Sequence, residues 1–453
     1  MIERMRRRGE LVMLLLAGAV VAGAYVVATL GRTASVPADI GPFLVLVLVL
    51  FAGAHIAIRK LAPGADGTLL PLAVLLNGVG YVFIARLRED LAAKQAGWIF
   101  LGLVAFVVTL AVVRRPRDLE RYRYIALFVG VGLVMVPLVP VLGQTINGAR
   151  IWIRLGPAQF QPGEFAKLFL ALFFAAYLVE KRELLALASW PRRRPILPDP
   201  KHLGPVLVAW GIAVVVITAE RDLGTALLFF ALFIVLLWVA TGRAGYLLVG
   251  AGSFALAAFA SWTLFSHVQD RVTNWINPWA DPLGGGYQII QGWYALADGG
   301  VAGQGLGLGL SGAPPGCDPA QGACDGRLPE AQNDFIFAVI GEELGLIGSA
   351  AVIAAFVLLV GTGLRIAASQ EGAFEKLLAT GLTTLLGVQT LIILGGVTRL
   401  LPLTGVALPF VSYGGTSVVA NYVLLALLVR LSDDAHQRRQ RKARRVGALA
   451  GAG

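Results

Sequence analysis

Charged residues are scarce in this sequence. Asp, Glu, Lys and Arg make up 14% of its 453 residues, 57% are hydrophobic, and mean hydropathy is +0.75. Soluble domains carry about 25% charged residues, so the deficit excludes a chain of water-facing domains and places most of it in lipid. Cysteine is nearly absent as well. Its two copies, Cys317 and Cys324, lie in one segment with no histidine nearby, which argues against a metal site and for a disulfide in an oxidising compartment. The net charge of +11 invites a nucleic-acid reading, but the basic residues sit in short clusters between apolar runs and offer no basic face.

What fills the sequence is long apolar runs, and a span needs about 20 such residues. The runs predict an all-α polytopic membrane protein of about twelve transmembrane helices, near 11–30, 40–58, 68–85, 96–113, 123–143, 164–180, 204–219, 222–241, 244–266, 335–364, 374–395 and 411–431. Arg4 and Arg6 to Arg8 precede an apolar stretch longer than a cleaved signal carries, which makes the first run a signal anchor. Glu220, Arg221 and Asp222 break the seventh run from the eighth in a tight hairpin. Arg59 and Lys60, Arg114 to Arg121, Lys181 to Lys201 and the tail from Arg438 to Arg445 all fall on alternate connections. The positive-inside rule makes those cytoplasmic and puts 143–163, 220–222, 267–334 and 396–410 outside the cytoplasmic membrane.

The outside connections hold the chemistry. Glu164 and Lys167 stand three apart at the start of a span and can pair, either as an interfacial anchor or as the wall of a polar cavity. The segment 267–334 is too long for a simple connector. It carries Arg271, Trp275, Trp279, Asp281 and Trp293, then glycine-rich 303–312 and Asp334-Phe335-Ile336-Phe337. Aromatic rings with arginines suit a phosphorylated sugar, and a membrane-interface belt explains the tryptophans equally well. Spacing alone makes Asp334 a helix N-cap, with Glu342 and Glu343 roughly 12 Å deeper along the helix.

These motifs together resemble the SEDS family (shape, elongation, division and sporulation), which contains RodA and FtsW. The resemblance rests on Asn147-Gly148-Ala149 with Trp152, Phe160-Gln161-Pro162 with Glu164 and Lys167, and Asp222-Leu223-Gly224-Thr225. It continues through Asp281-Pro282-Leu283-Gly284, Pro329-Glu330 with Asp334-Phe335-Ile336-Phe337, and Glu342-Glu343-Leu344-Gly345. The last matches are Leu401-Pro402-Leu403-Thr404-Gly405 and Leu408-Pro409-Phe410-Val411-Ser412-Tyr413-Gly414-Gly415. The resemblance implies a ten-helix core, here 63–433, preceded by two extra helices in 1–62 as in actinobacterial RodA-like members and followed by a basic tail, 434–453. Ile151, Ile393 and Ala407 depart from the family pattern.

By that resemblance the protein is a peptidoglycan glycosyltransferase that polymerises lipid II beside a class B penicillin-binding protein, in elongation rather than division. Asp334 becomes the catalytic residue. Trp152, Glu164, Lys167, Arg150, Arg271, Asp281 and Ser412 line the substrate site, and a divalent cation, Mg or Mn, shares the charge of the departing diphosphate with Lys167 and outside arginines that include Arg154, Arg221 and Arg399. A carrier that flips lipid II is the rival reading. It predicts broken helices at the bilayer midplane in paired halves.

Overall fold

The computed structural model describes residues 2–33, 40–146, 148–156, 158–186, 211, 220, 222–311 and 328–450. The expected run 204–219 lies outside them, apart from residue 211, as do Arg221, Cys317 and Cys324. The other apolar runs fold as helices. In chain order these are α1 (Ile2–Thr33), α2 (Ile40–Leu61), α3 (Leu69–Leu87), α4 (Glu89–Val112), α5 (Arg123–Met135), α6 (Gly163–Ala186), α7 (Leu223–Thr241) and α8 (Gly245–Leu264). Two short helices, α9 (Ser266–Ile276) and α10 (Tyr287–Gly299), precede α11 (Ile336–Ala368), α12 (Ala373–Val397) and α13 (Gly415–Ala450). Among the described residues nine helical segments are long and apolar enough to cross a membrane. The chain is an all-α polytopic membrane protein.

Local chemistry sets several ends. Asp222 caps α7, accepting from the Thr225 N–H at 3.0 Å and the Thr225 hydroxyl at 2.6 Å. Gly242, at φ 69°, closes the same helix in the left-handed conformation that favours glycine. The fifth span differs from expectation. It runs from a 3-10 turn at Pro116–Tyr122 through α5 to a second turn at Val136–Leu138, where Pro137 ends the regular helix, so it occupies 116–138 rather than 123–143.

Two connections read as loops carry structure of their own. Residues 143–160 form a three-stranded antiparallel sheet of β1 (Gly143–Ile146), β2 (Ala149–Leu155) and β3 (Ala158–Phe160). Gln144 pairs with Trp152 and Ile153 with Phe160, with Gly148 and Gly156 at positive φ in the turns. The cluster of β-branched and aromatic residues Ile151-Trp152-Ile153 in β2 was the sequence signal for it. The segment 267–334 is partly helical, through α9 and α10.

Helices α12 and α13 are enclosed along most of their length, whereas α1 and α8 turn most of theirs outward. One helix is not continuous. Gly345, at φ 65° and ψ −165°, interrupts α11 and separates a short first half, 336–344, from the rest. Residues 299–311 wrap this break and supply the hydrogen bonds the helix forgoes there.

Candidate functional site

Asp334 sits two residues ahead of the short half of α11, half-buried. The N-cap position is Phe335, with no side-chain capping bond, and among the described residues no hydrogen bond holds the Asp334 carboxyl. The structure thus gives Asp334 no capping role, and its side chain is left for other chemistry. Surrounding protein pushes its pKa up to about 7. Burial is the main cause, Glu330 and Asp222 add repulsion, and Arg271 opposes them.

Two loops fix its place. Ser412 accepts from the Leu408 N–H at 2.9 Å and donates to the Asn333 carbonyl at 2.7 Å, and the Tyr413 N–H donates to the Gln332 carbonyl at 2.8 Å. Asn333 in turn bonds the Glu330 carboxylate, and Gln288 donates to the Pro329 carbonyl at 3.1 Å. On the other side Gly405, at φ 73°, backs onto the carboxyl. A Cβ there would lie 3.8 Å from Asp334 Oδ2. Arg271 donates to the Leu403 carbonyl at 2.8 Å, so the same guanidinium that bears on Asp334 also ties down the 401–406 loop. Gly224 lets α7 approach Thr404 and Val406 of that loop. The Asp222 motif, the 401–413 loops and the Asp334 segment, far apart in sequence, meet here.

Glu164 and Lys167 pair at 2.7 Å with relative exposures of only 4% and 2%, so they face the protein interior. An interfacial anchor would be exposed, and that reading falls. Lys167 also donates to Gln389 Oε1 at 2.6 Å, and Gln389 donates to the Ala407 carbonyl at 2.7 Å. The pair is thereby joined to the loop that carries Ser412. Gln389 went unnoticed in the sequence because a lone amide inside a spanning run belongs to no motif. Asn77 was missed for the same reason. It donates to the Phe410 carbonyl at 2.9 Å and holds a residue at φ 64°.

Other candidates serve the scaffold. Arg150 donates to the carbonyls of Pro137 at 3.0 Å and Val139 at 3.2 Å, closing the end of the fifth span. Asp281 accepts from the Gly284 and Gly285 N–H groups at 3.1 and 2.8 Å, which shapes its own turn. Arg399 lies over the Trp293 ring at 4.9 Å and donates to the carbonyls of Trp275 and Ile276. Trp152 stands half-buried on β2, with Arg154 exposed beside it, and among the described residues no hydrogen bond or ion pair joins either to Asp334. Among the described residues no three His, Cys, Asp or Glu side chains converge as a metal cage.

Glu342 and Glu343, each 1% exposed, lie at the break in α11. Glu342 accepts from the N–H groups of Leu310 at 2.8 Å and Ser311 at 3.2 Å, and Glu343 from Gly307 at 2.8 Å. Glu343 also pairs with Arg86 of α3 at 2.8 Å. Buried carboxylates are tolerable only with such partners.

The family model of cell cycle proteins, FtsW/RodA/SpoVE, matches residues 68–437, leaving α1 and α2 outside it. The peptidoglycan glycosyltransferase RodA of Mycobacterium tuberculosis is 40% identical over 99% of this chain and 95% of its own. A probable peptidoglycan glycosyltransferase FtsW of Geobacter sp. is 34% identical over 82% of this chain and 97% of its own. A chain from a peptidoglycan synthase complex that coordinates polymerization and crosslinking superposes with a TM-score of 0.65 at 26% identity, covering 82% of this chain and 99% of that one.

Proposed function

Since the chain belongs to the FtsW/RodA/SpoVE family, the SEDS proteins, we propose that it is a peptidoglycan glycosyltransferase whose substrate is lipid II. The observation that carries the chemistry is Asp334, half-buried, free of hydrogen bonds among the described residues, and with its pKa raised to about 7. A sugar hydroxyl is a poor nucleophile at neutral pH. A carboxylate of matched basicity can take its proton as the bond forms. In the proposed step the 4-hydroxyl of one lipid-linked disaccharide attacks the anomeric carbon of another. The hydroxyl proton passes to Asp334, the bond from the anomeric carbon to diphosphate breaks, and the polyprenyl diphosphate leaves.

The departing group gains negative charge, which fixed cations stabilise. Arg271, close enough to bear on Asp334, is the protein cation best placed for that task, and Lys167 contributes from the buried Glu164 pair. Arg150 and Asp281 shape the surfaces near the site through their backbone bonds, and half-buried Trp152 offers its ring to the sugar. A divalent ion would be held chiefly by the substrate's diphosphate, because the protein offers no cage for one among the described residues.

Among the described residues the ends of α2 and α4 next to the basic connections meet α13 at the end of the bundle away from Asp334. This supports a multi-pass protein of the cytoplasmic membrane with its active face outside. Greater identity to RodA than to FtsW supports a role in elongation and cell shape. The likeness to the synthase complex supports a class B penicillin-binding protein as partner. The flippase reading gains little among the described residues, where α11 is interrupted at Gly345 while α3, α4, α7, α8 and α12 run unbroken and offer it no paired break.

The deciding experiment gives purified full-length protein labelled lipid II, with and without the partner. A glycan ladder on a gel is the expected result. Lipid exchange between vesicles with no ladder under either condition overturns the proposal.

A further inference from the structure

The helices that precede the family core touch the site's foundation. At the outer end of α1 the backbone of Gly31 meets the glycine-rich segment so closely that a Cβ at Gly31 would lie 2.4 Å from the Leu306 carbonyl oxygen. The approach is mutual, since a Cβ at Gly307 would lie 2.3 Å from the Ala28 carbonyl oxygen. Leu306 packs with Ala24, Tyr25 and Tyr81 against a small cluster of Val21, Ala28 and Val82, and Gly78 of α3 admits Val21. This contact is backbone against backbone, which allows almost no slack.

The same glycine-rich segment grips the end of the short half of α11. The Gln304 and Gly305 N–H groups donate to the carbonyls of Glu342 and Glu343 at 2.9 and 3.0 Å. The Leu346 and Ile347 N–H groups donate to those of Gly300 and Val301 at 3.0 and 3.2 Å. The Glu342 and Glu343 carboxylates add their bonds to Gly307, Leu310 and Ser311. The short half-helix is thus clasped at one end and carries Asp334 at the other. A segment this brief moves as one body, so a shift at the clasp is passed to the carboxyl.

We infer that α1, through Ala28 and Gly31, is a positioning element for Asp334: it presses on Leu306 and Gly307, and these hold the half-helix in register. The inference rests on the proposed polymerase reading and goes beyond it, because α1 lies outside the matched core. A misplacement of about 1 Å costs a reaction on the order of 100-fold, so a partial shift has a measurable kinetic effect.

The test uses full-length protein. Gly31→Leu forces a clash at the contact, and Leu306→Ala removes packing without adding atoms. Gly23→Leu adds the same bulk to α1 where nothing lies within 4 Å. Each variant is measured for kcat, KM, the pH midpoint of kcat/KM and thermal unfolding. Gly31→Leu is expected to lower kcat about tenfold with KM unchanged, and to move the pH midpoint down as water reaches Asp334. Leu306→Ala is expected to do the same to a smaller extent, and Gly23→Leu to behave as wild type. If Gly31→Leu does not insert, Leu306→Ala alone decides. Wild-type kcat and pH midpoint in the inserted variants, whether or not unfolding shifts, overturn the positioning role. So does an effect on KM alone. A wild-type protein that makes no polymer is a different outcome and removes the parent reading instead.

Discussion

The end of the bundle that holds Asp334 and the opposite, basic end both bury ionised groups, but on different backbones. At the basic end helices run to regular ends and charges tie those ends together. Arg430 donates to the carbonyls of Leu61 and Leu110, Asp433 accepts from the Gly64 N–H at 2.7 Å, and Arg365 pairs with Asp66 at 2.8 Å. At the Asp334 end the backbone itself is irregular. All three non-glycine residues at positive φ among the described residues, Glu330 (53°), Arg399 (64°) and Phe410 (64°), lie there, together with the break at Gly345. Such conformations cost about 1–3 kcal/mol each and persist only where the surroundings over-determine them. The Asn77 bond to the Phe410 carbonyl and the burial of the Phe410 ring provide that restraint. One end is built to hold helices together, the other to hold a carboxyl in place.

The largest effect that would sharpen this contrast comes from Asp334→Asn. It keeps the shape and removes the base, so glycan synthesis is expected to fall about 10²–10⁴-fold while thermal unfolding barely moves. Near-normal synthesis by the purified variant would dissolve the distinction between the two ends. Lys167→Met should rank next, because it strands a buried carboxylate and the Gln389 side chain. A stability loss of about 3–5 kcal/mol is expected, and Glu164→Gln added to it should recover much of that loss. Unfolding in detergent would show whether the double variant is indeed the more stable.

The pH dependence gives a subtler check. Protonated Asp334 cannot accept the hydroxyl proton, so the rate should rise with pH through a midpoint near 7 and fall below it. Glu330→Gln removes a negative charge that raises the value, which moves the midpoint to lower pH. The raised value also means that the unfolded chain releases this proton first. That contribution therefore weakens folding as pH climbs from the ordinary carboxylate range toward about 7. A midpoint unmoved by Glu330→Gln would contradict the electrostatic account. The smallest effect belongs to the basic end. Lys442 meets Glu371 at 3.6 Å with both exposed, and Lys442→Ala should change stability by less than about 0.5 kcal/mol and leave synthesis intact.

Much of the fold was legible because a lipid-spanning helix must announce itself as a long apolar run. The runs at 68–85, 222–241, 244–266 and 374–395 lie within a few residues of α3, α7, α8 and α12. The fifth span was misplaced because hydropathy is blind to where Pro137 ends a helix. The sheet at 143–160 was missed because its strands are too short to stand out against their apolar neighbours. The Asp334 site was legible only as motif residues. That Lys167 would meet Gln389, 222 positions away, or that Ser412 would meet Asn333, has no trace in local pattern.

The amino-acid order by itself determined the membrane class, the family, and the side chains able to do chemistry, because burial in lipid and acid–base function each demand particular residue types. Tertiary structure alone decided which of those side chains converge, which arginines are committed to backbone carbonyls, and that burial and neighbouring charges raise the Asp334 pKa to about 7. A carboxyl's basicity depends on what surrounds it in space. That surrounding is assembled here from segments as far apart in the chain as Asp222 and Gly405.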